Sequence, residues 1–358
     1  MIVKINDFIA FLKQVVNDQM GNYQEIYLPA RGPDAQNGHL FFTSIREDDE
    51  FVLNQYRTVD PVKILFYLAR EQVLNKRYQD INRIVVGVKA CDLKALQLLD
   101  KALVNEDFVD PGYKHWRDHT TIITSDCDSV ASSCHCNLLD GKPYSEEGFD
   151  LNLSTVNDSY FIQVGSEKGQ KLLNFMKEHV SVQEPVSDTD KNIQDNRKKV
   201  QQELLHQTKY FKDISTNHKL RSKEMSLWEG NSKQCVSCGA CTNICPTCYC
   251  LILNDESDAK KFVKTRSYDS CQLNGYAKVA GGGTPRPKAT ERFRNRYLCK
   301  FSYMQSNFGT SGCTGCGRCI DACAAKLDIR EVMHNIHDNK VTAVKQKSET
   351  ETVARGEV

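Results

Sequence analysis

The chain has 358 residues, of which 40% are hydrophobic and 26% are charged, and its formal net charge is +1. This length can bury two or three domain cores, and the small charge argues against a whole-molecule attraction to nucleic acid or membrane. The longest apolar runs have the length of strands and are too short to span a bilayer. The amino terminus has none of the features of a signal peptide, so the sequence predicts a cytoplasmic protein without a membrane span.

The sixteen cysteines are the anomaly in this composition. Disulfides require an oxidising compartment, and cytoplasmic thiols are normally kept reduced. Metal ligation therefore explains the cysteines better than disulfide formation does.

The first region of the chain alternates strand-like and helix-like segments, which predicts an α/β domain over residues 1–165. A strand or cap and an amphipathic helix are predicted at the amino terminus. Strands are predicted at 24–30 and 39–45, and a helix within 61–74, after its proline. Next comes a buried strand, a turn carrying Cys91 and a helix starting near Asp92. A further strand, 120–127, ends at Cys127.

The later regions differ in composition. Residues 166–223 are strongly charged and predict a helical linker at the surface. Residues 224–335 carry most of the cysteines and predict a ferredoxin-like domain with a long insert at 251–300. The tail, residues 336–358, has no apolar anchor and is expected to be flexible. The whole is an α+β protein.

The strongest motif is a duplicated cysteine spacing, C-x2-C-x2-C-x3-C. In bacterial dicluster ferredoxins the first three cysteines of such a run bind one [4Fe–4S] cluster and the fourth binds the other cluster. The first cluster is therefore assigned to Cys235, Cys238, Cys241 and Cys323, and the second to Cys313, Cys316, Cys319 and Cys245.

A pair of zinc sites is the alternative, because C-x2-C pairs also form zinc ribbons. Zinc would leave the third and fourth cysteine of each run without a role. The second run lacks the proline that follows Cys245, but proline is not a ligand. Two cubanes are therefore predicted.

The segment between the two motifs is basic, with eleven Lys or Arg and two Asp or Glu between residues 260 and 300. It contains no recognisable module that reads nucleic-acid grooves. It is expected to dock an acidic partner or to offset the negative charge of the clusters, with a solvated face as the plain alternative.

A third metal site is predicted in the first domain. Cys127, Cys134 and Cys136 follow a strand with the spacing C-x6-C-x-C, and Cys91 follows the preceding buried strand. If the two strands are parallel neighbours, their ends lie about 5–10 Å apart, which suits a third [4Fe–4S] cluster. Zinc and free buried thiols are the alternatives. His135 is expected to be a spacer between ligands.

The order of the motifs resembles one family. The segments "GVKACDLKALQLLD", "CDSVASSCHC", "CVSCGACTNICPTCYC", "SYDSCQLNGYAKVAGGGTPRP", "RFRNRYLCKF" and "GCTGCGRCIDAC" follow one another as they do in the β subunit of cytosolic sulfhydrogenases and the A subunit of anaerobic sulfite reductase. The resemblance spans roughly residues 60–335. The family also carries cysteines that match Cys248, Cys250 and Cys271, for which a further cluster is an open hypothesis.

The resemblance implies an electron-transfer subunit of anaerobic metabolism. It would relay single electrons between a flavin subunit linked to NAD(P)H or ferredoxin and a terminal subunit of hydrogenase, sulfite-reductase or heterodisulfide-reductase type. The residues provide no flavin or nicotinamide fingerprint, no Walker sequence and no nucleophile–base pair, so no catalytic residue is assigned. Two alternatives stay open: a redox-silent, metal-stabilised binding module with a basic insert, and a catalytic first domain that binds flavin or substrate.

Overall fold

The computed structural model describes residues 1–18, 20–32, 38–45, 50–74, 76, 78–211, 214, 218–257 and 259–341. The flexible tail predicted at 336–358 lies outside the described residues from position 342 onward. None of the described helices is both long and apolar enough to cross a membrane.

Ten strands lie in the described residues and form two sheets. They are β1 (Ile2–Lys4), β2 (Tyr23–Arg31), β3 (Leu40–Ser44), β4 (Arg70–Gln72), β5 (Asn82–Val88), β6 (Thr120–Ser125), β7 (Leu151–Val156), β8 (Ser159–Val164), β9 (Leu251–Asp255) and β10 (Lys264–Tyr268). The larger sheet has the order β1-β8-β7-β6-β5-β2-β3, and the smaller has the order β4-β10-β9.

Helices cover the sheets and connect them. The α-helices of the described residues are α1 (Ile5–Asn17), α2 (Ala90–Leu103), α3 (Pro111–Asp118), α4 (Glu167–Lys177), α5 (Thr189–Thr208), α6 (Met225–Ser232), α7 (Ala240–Asn243), α8 (Ala289–Leu298), α9 (Met304–Phe308), α10 (Arg318–Asp321) and α11 (Ile329–His337). A π-helical segment, Cys299–Tyr303, continues α8 into α9.

The centre of the larger sheet is parallel, because β2, β5, β6 and β7 run in one direction. Strands β5 and β6 have almost continuous buried side chains, as expected for strands covered on both faces. The condition set for the third metal site is met, because β5 and β6 are parallel neighbours. Their carboxyl ends meet at one edge of the sheet, where open α/β sheets place their functional loops.

The predicted helix within 61–74 is wrong. Only a 3₁₀ turn, Val62–Leu65, forms there, and Arg70–Gln72 is strand β4 of the smaller sheet. Long-range contacts override the helical spacing: the Lys63 ammonium donates to the carbonyl of Cys248, and the Tyr67 hydroxyl donates to the carbonyl of Tyr249. Tertiary partners from the cysteine-rich region therefore decide this conformation.

Cys91 also differs slightly from its prediction. Helix α2 begins at Ala90, so Cys91 lies in the first helical turn and not in a preceding turn. The thiol consequently lies near the positive end of the helix dipole.

Separate apolar cores stabilise the larger sheet and the cysteine-rich half. Helix α4 packs Leu172, Leu173 and Met176 against the larger sheet. A second core, centred on Trp228 and Phe301, joins α6, α8 and α11. The helices of the cysteine-rich half are therefore anchored by their own buried apolar side chains.

Candidate metal centres

The two duplicated motifs adopt the same backbone. Ser237 and Gly315 occupy equivalent positions with φ of 55° and 69°, and Gly239 and Gly317 follow with φ of 78° and 76°. A four-residue helix begins immediately after each of these glycines. Alternation of left-handed and helical residues forms concave nests of N–H groups, which are found at many iron–sulfur sites.

The first predicted ligand set surrounds one cavity. Cys235, Cys238, Cys241 and Cys323 all line it. The remaining wall is mostly apolar and includes Val236, Phe293, Tyr297, Leu327 and Ile329. The backbone N–H of Leu327 donates to the sulfur of Cys323 at 3.3 Å. The residues present therefore fit a cubane: four thiols, a mostly apolar cradle and a donor to sulfur.

The second predicted set is brought together from two distant segments. Buried Cys313 interacts with Cys316 and with Cys245, and Cys319 interacts with all three. Burial raises the pKa of the Cys313 thiol to about 12, although a hydrogen bond from the backbone at Gly315 acts in the opposite direction. Metal coordination would be needed to keep such buried thiols ionised at neutral pH.

Cys245 differs from its partners. Its pKa is lowered well below the usual value, because the Cys248 thiol donates a hydrogen bond to it and the Lys300 ammonium lies nearby. The hydroxyl of Thr247 lies 3.2 Å from its sulfur. These contacts favour the thiolate form of Cys245, which is the form that binds iron.

The third predicted set converges at the carboxyl edge of the larger sheet. Cys136 interacts with Cys127 and Cys134, and Cys91 interacts with Cys127. Burial raises the pKa of Cys127 to about 12, despite the neighbouring Lys89 ammonium. Cys91 also interacts with Cys316, so the third set adjoins the second.

Glycines allow this close approach. A Cβ at Gly315 would overlap the backbone of Cys136, and a Cβ at Gly317 would overlap the carbonyl of Ser133. The carbonyl of Gly315 accepts a hydrogen bond from the backbone N–H of His135 at 2.8 Å. The two glycines therefore serve both the left-handed turns and the contact between the third set and the second motif.

The sequence reasoning missed a group of buried cations beside the cysteines. They are Lys63, Lys89, Arg296, Lys300 and Arg318. Burial opposes the charge of Arg296, but the thiolates of Cys241 and Cys319 outweigh it and raise the pKa of the guanidinium. Buried cations of this kind balance the negative charge of thiolate-bound clusters. Some of these cations could have been recognised in the sequence because they directly adjoin a cysteine, as in Cys299-Lys300 and Arg318-Cys319.

Arg318 has a carboxylate partner as well. Its Nη2 lies 2.7 Å from Oδ2 of Asp92, and both side chains are 1% exposed. Since Asp92 follows Cys91 and Arg318 precedes Cys319, this ion pair ties the third set to the second motif.

His135 lies between two of the predicted ligands and is completely buried. Its Nδ1–H donates to the carbonyl of Ser133 at 2.8 Å, and Nε2 has no hydrogen-bond partner in the described part of the chain. Burial lowers the pKa of the imidazole to about 4, so the ring is neutral at pH 7. Its proposed role as a spacer remains a prediction.

The ligand sets do not resemble single-ion sites. Among the described residues, no three Cys, His, Asp or Glu side chains form a group that could hold one metal ion. A cubane has no such requirement, because each of its four irons takes a single thiolate. Sets of four thiols suit cubane ligation.

Comparisons with known proteins agree with this chemistry. Residues 234–327 match the family model described as "4Fe-4S dicluster domain". The chain is 28% identical over 324 residues to "Sulfhydrogenase 2 subunit beta" of Pyrococcus furiosus, covering 87% of this chain and 92% of the relative. It is 22% identical over 178 residues to "F420-dependent formate dehydrogenase subunit beta" of Methanocaldococcus jannaschii, covering 49% of this chain and 38% of the relative. No solved structure matches the chain significantly.

The matches and the geometry define an iron–sulfur protein with a 4Fe-4S dicluster domain. Over most of its length the chain is similar to a sulfhydrogenase β subunit, and the order of its cysteine motifs agrees with that similarity. These similarities support iron–sulfur chemistry and electron transfer in an oxidoreductase.

Proposed function

We propose that this chain is a non-catalytic, cytoplasmic electron-transfer subunit of a multi-subunit oxidoreductase. The observation that carries the proposal is the adjacency of three four-cysteine sets, with the second set in contact with both others. Cys319 lines the cavity of the first set, and Cys316 interacts with Cys91 of the third. The proposed domain layout is 1–165, 166–223, 224–335 with its insert 251–300, and the tail 336–358.

Each set would hold one [4Fe–4S] cluster. The sets are Cys235, Cys238, Cys241 and Cys323; Cys245, Cys313, Cys316 and Cys319; and Cys91, Cys127, Cys134 and Cys136. When bound, such clusters supply one-electron carriers. The chain's own residues would orient them through glycine turns and offset their charge with Arg296, Lys300 and Arg318.

The proposed partner subunits are inferred from the cofactor motifs that the sequence lacks and from the names of its relatives. A flavin-containing subunit linked to NAD(P)H or ferredoxin would supply electrons, since the sequence contains no nicotinamide fingerprint. A terminal subunit of hydrogenase, sulfite-reductase or heterodisulfide-reductase type would receive them. The relatives are named as β subunits of a sulfhydrogenase and of a formate dehydrogenase, which supports membership of such a complex.

The binding-module alternative loses support from the contacts of the basic insert. Arg266 is buried between Glu71 and Asp110, and its Nη2 lies 2.5 Å from Oε2 of Glu71. Buried Arg292 donates to the carbonyls of Gln272 and Pro287. These cations serve internal contacts and are not available to an anionic partner.

The full chain, prepared without air, tests the proposal. We expect a brown protein with about twelve irons in these three sets, matching inorganic sulfide, and EPR signals that develop when dithionite bleaches the colour. Fewer than eight irons per intact chain would contradict the two ferredoxin-type clusters. A colourless protein with bound zinc would support the redox-silent binding module.

A further inference from the structure

Four cysteines remain after the three sets have been assigned. They are Cys248, Cys250, Cys271 and Cys299, and together with the twelve others they complete the sixteen of the chain. All four are free thiols, and Cys271 is buried. Cys250 directly precedes β9, Cys271 follows β10, and Cys299 opens the π-helical segment. Short π-helical segments within helices occur frequently at functional sites.

Hydrogen bonds bring these four segments together. The register of the β9–β10 hairpin places Leu251 opposite Tyr268, and the N–H of Asp269 donates to the carbonyl of Cys250 at 2.9 Å. Cys250 and Cys271 therefore lie at the same end of the hairpin.

Helix α8 and the π-helical segment meet the hairpin end. The side-chain amide of Gln272 donates to the carbonyl of Arg292 at 2.9 Å, and Nε of Arg292 donates back to the carbonyl of Gln272 at 3.2 Å. This pair fixes the residue after Cys271 to α8, about two turns before Cys299. Cys250 interacts electrostatically with both Cys271 and Cys299, as proximity of the three thiols requires.

Three of the four sulfurs already face hydrogen-bond donors. The Lys300 ammonium lies 3.3 Å from the sulfur of Cys248, and the Gln272 amide lies 3.4 Å from the sulfur of Cys271. The Tyr276 hydroxyl lies 4.0 Å from the sulfur of Cys250. Donors to sulfur stabilise thiolates and tune iron–sulfur clusters.

Two buried lysines add an argument from charge, although Lys300 also lies near Cys245 of the second set. Lys63 and Lys300 are 1% and 2% exposed, and each interacts with Cys248: Lys63 donates to its carbonyl at 2.9 Å, and Lys300 to its sulfur. Within the described residues, neither ammonium forms an ion pair with a carboxylate. Burying two ammonium groups is costly unless an anion compensates them. A cluster ligated by four thiolates provides that negative charge.

We propose that Cys248, Cys250, Cys271 and Cys299 hold a fourth [4Fe–4S] cluster. The site adjoins the second set, because the thiols of Cys248 and Cys245 are hydrogen-bonded to each other. The second set thereby has a neighbour on three sides: the first set, the third set and this one. The relay is branched, and the fourth cluster gives it an additional point at which electrons enter or leave.

The proposal rests on the proposed iron–sulfur function, and the iron content of the whole chain separates the two. Anaerobically reconstituted wild type is expected to contain about sixteen irons and as many sulfides. About twelve would overturn the fourth cluster and leave the three-cluster function standing. No iron would overturn both.

Cysteine variants test which residues bind the four additional irons. Cys271→Ala and Cys299→Ala are each expected to lose about four irons and one EPR signal. Cys91→Ala is the matched control: it loses about four irons from the third set, and the Cys91→Ala/Cys271→Ala double variant loses about eight. Iron content unchanged by Cys271→Ala, one bound zinc per chain, or a Cys250–Cys271 disulfide in the denatured wild type would overturn the proposal.

A conservative variant covers the case in which cysteine variants fail to fold. Lys300→Met retains all four thiols and removes the cation at 3.3 Å from Cys248. We expect unchanged iron content and a more negative midpoint potential for the cluster whose EPR signal Cys271→Ala removes, because its more negatively charged reduced state loses its counter-charge. A shift confined to the second set, whose Cys245 also lies near Lys300, would overturn the assignment, and so would wild-type potentials for every cluster.

Discussion

The ferredoxin-like motifs and the cysteine set of the first domain reach similar chemistry by different routes. Each ferredoxin-like motif, 235–245 and 313–323, folds locally around two left-handed residues and a short helix. The third set combines a helix start at Cys91 with a loop after β6, and strand pairing brings them together. A motif of the first kind depends on local turns, whereas the third set depends on the sheet and on its contact with the second motif.

Substitution of a cysteine ligand should have the largest effect, which is a loss of bound iron. It tests both the ferredoxin-like motifs and the third set. Cys235→Ala is expected to lose about four irons from the first set, and Cys91→Ala about four from the third. Because Cys91 is not assigned as a ligand of either ferredoxin-type set, Cys91→Ala should leave the two ferredoxin-type EPR signals intact. Iron analysis and EPR of the reduced protein provide the measurement. If Cys91→Ala retains every signal, the assignment of the third set is wrong.

Breaking the buried ion pair between the two regions should be the next largest effect. Asp92→Asn leaves the buried Arg318 guanidinium without its carboxylate and should lower the free energy of unfolding by about 3–5 kcal/mol. The control is Asp118→Asn, which removes a half-exposed partner of Lys114 and should cost less than about 1 kcal/mol. Denaturant unfolding compares the two. Equal losses would show that the buried pair does not hold the regions together.

The glycine contact can be tested with a matched pair. Gly315→Ala introduces a Cβ that overlaps the backbone of Cys136, so we expect a loss of about 2–4 kcal/mol in the free energy of unfolding. Gly282→Ala has the same left-handed φ but no atom within 4 Å of the added Cβ, and should cost about 1 kcal/mol. Thermal unfolding measures the difference, which isolates the packing from the backbone strain.

The smallest expected effect is a change in the pH dependence of stability, caused by protonation of His135. The pKa of this imidazole falls from 6.5 to about 4 in the folded chain. Its stabilising contribution is therefore complete above about pH 6.5 and is lost progressively as the pH falls towards 4. Between pH 7 and pH 5 we expect wild type to lose about 2 kcal/mol more than His135→Gln.

The matching control for His135 is an exposed histidine. His337→Gln makes the same exchange at a half-exposed side chain and controls for the general effect of replacing His by Gln. Acid damage to any cluster affects all three proteins, so the difference in slope reports His135 alone. Identical slopes for wild type and His135→Gln would contradict a neutral, buried imidazole.

Local patterns of the sequence predicted much of this fold. The strands β2, β3, β5 and β6 and the helices α1 and α2 lie where alternation and helical spacing placed them. The helix predicted within 61–74 failed because its partners, Tyr249 and Arg266, lie almost two hundred residues away in the chain. Local spacing contains no information about such distant contacts.

The sequence by itself determined the two ferredoxin-like ligand runs, since cubane ligation demands a fixed spacing and small residues at left-handed turns. Only the tertiary structure decided what surrounds them. It brought Cys91 to Cys127 through parallel strand pairing, placed Lys300 against Cys248, and seated the second motif against the Ser133–Cys136 loop. The physical reason is that charge compensation and close approach depend on which distant segments meet, and burial makes each such contact costly to lose.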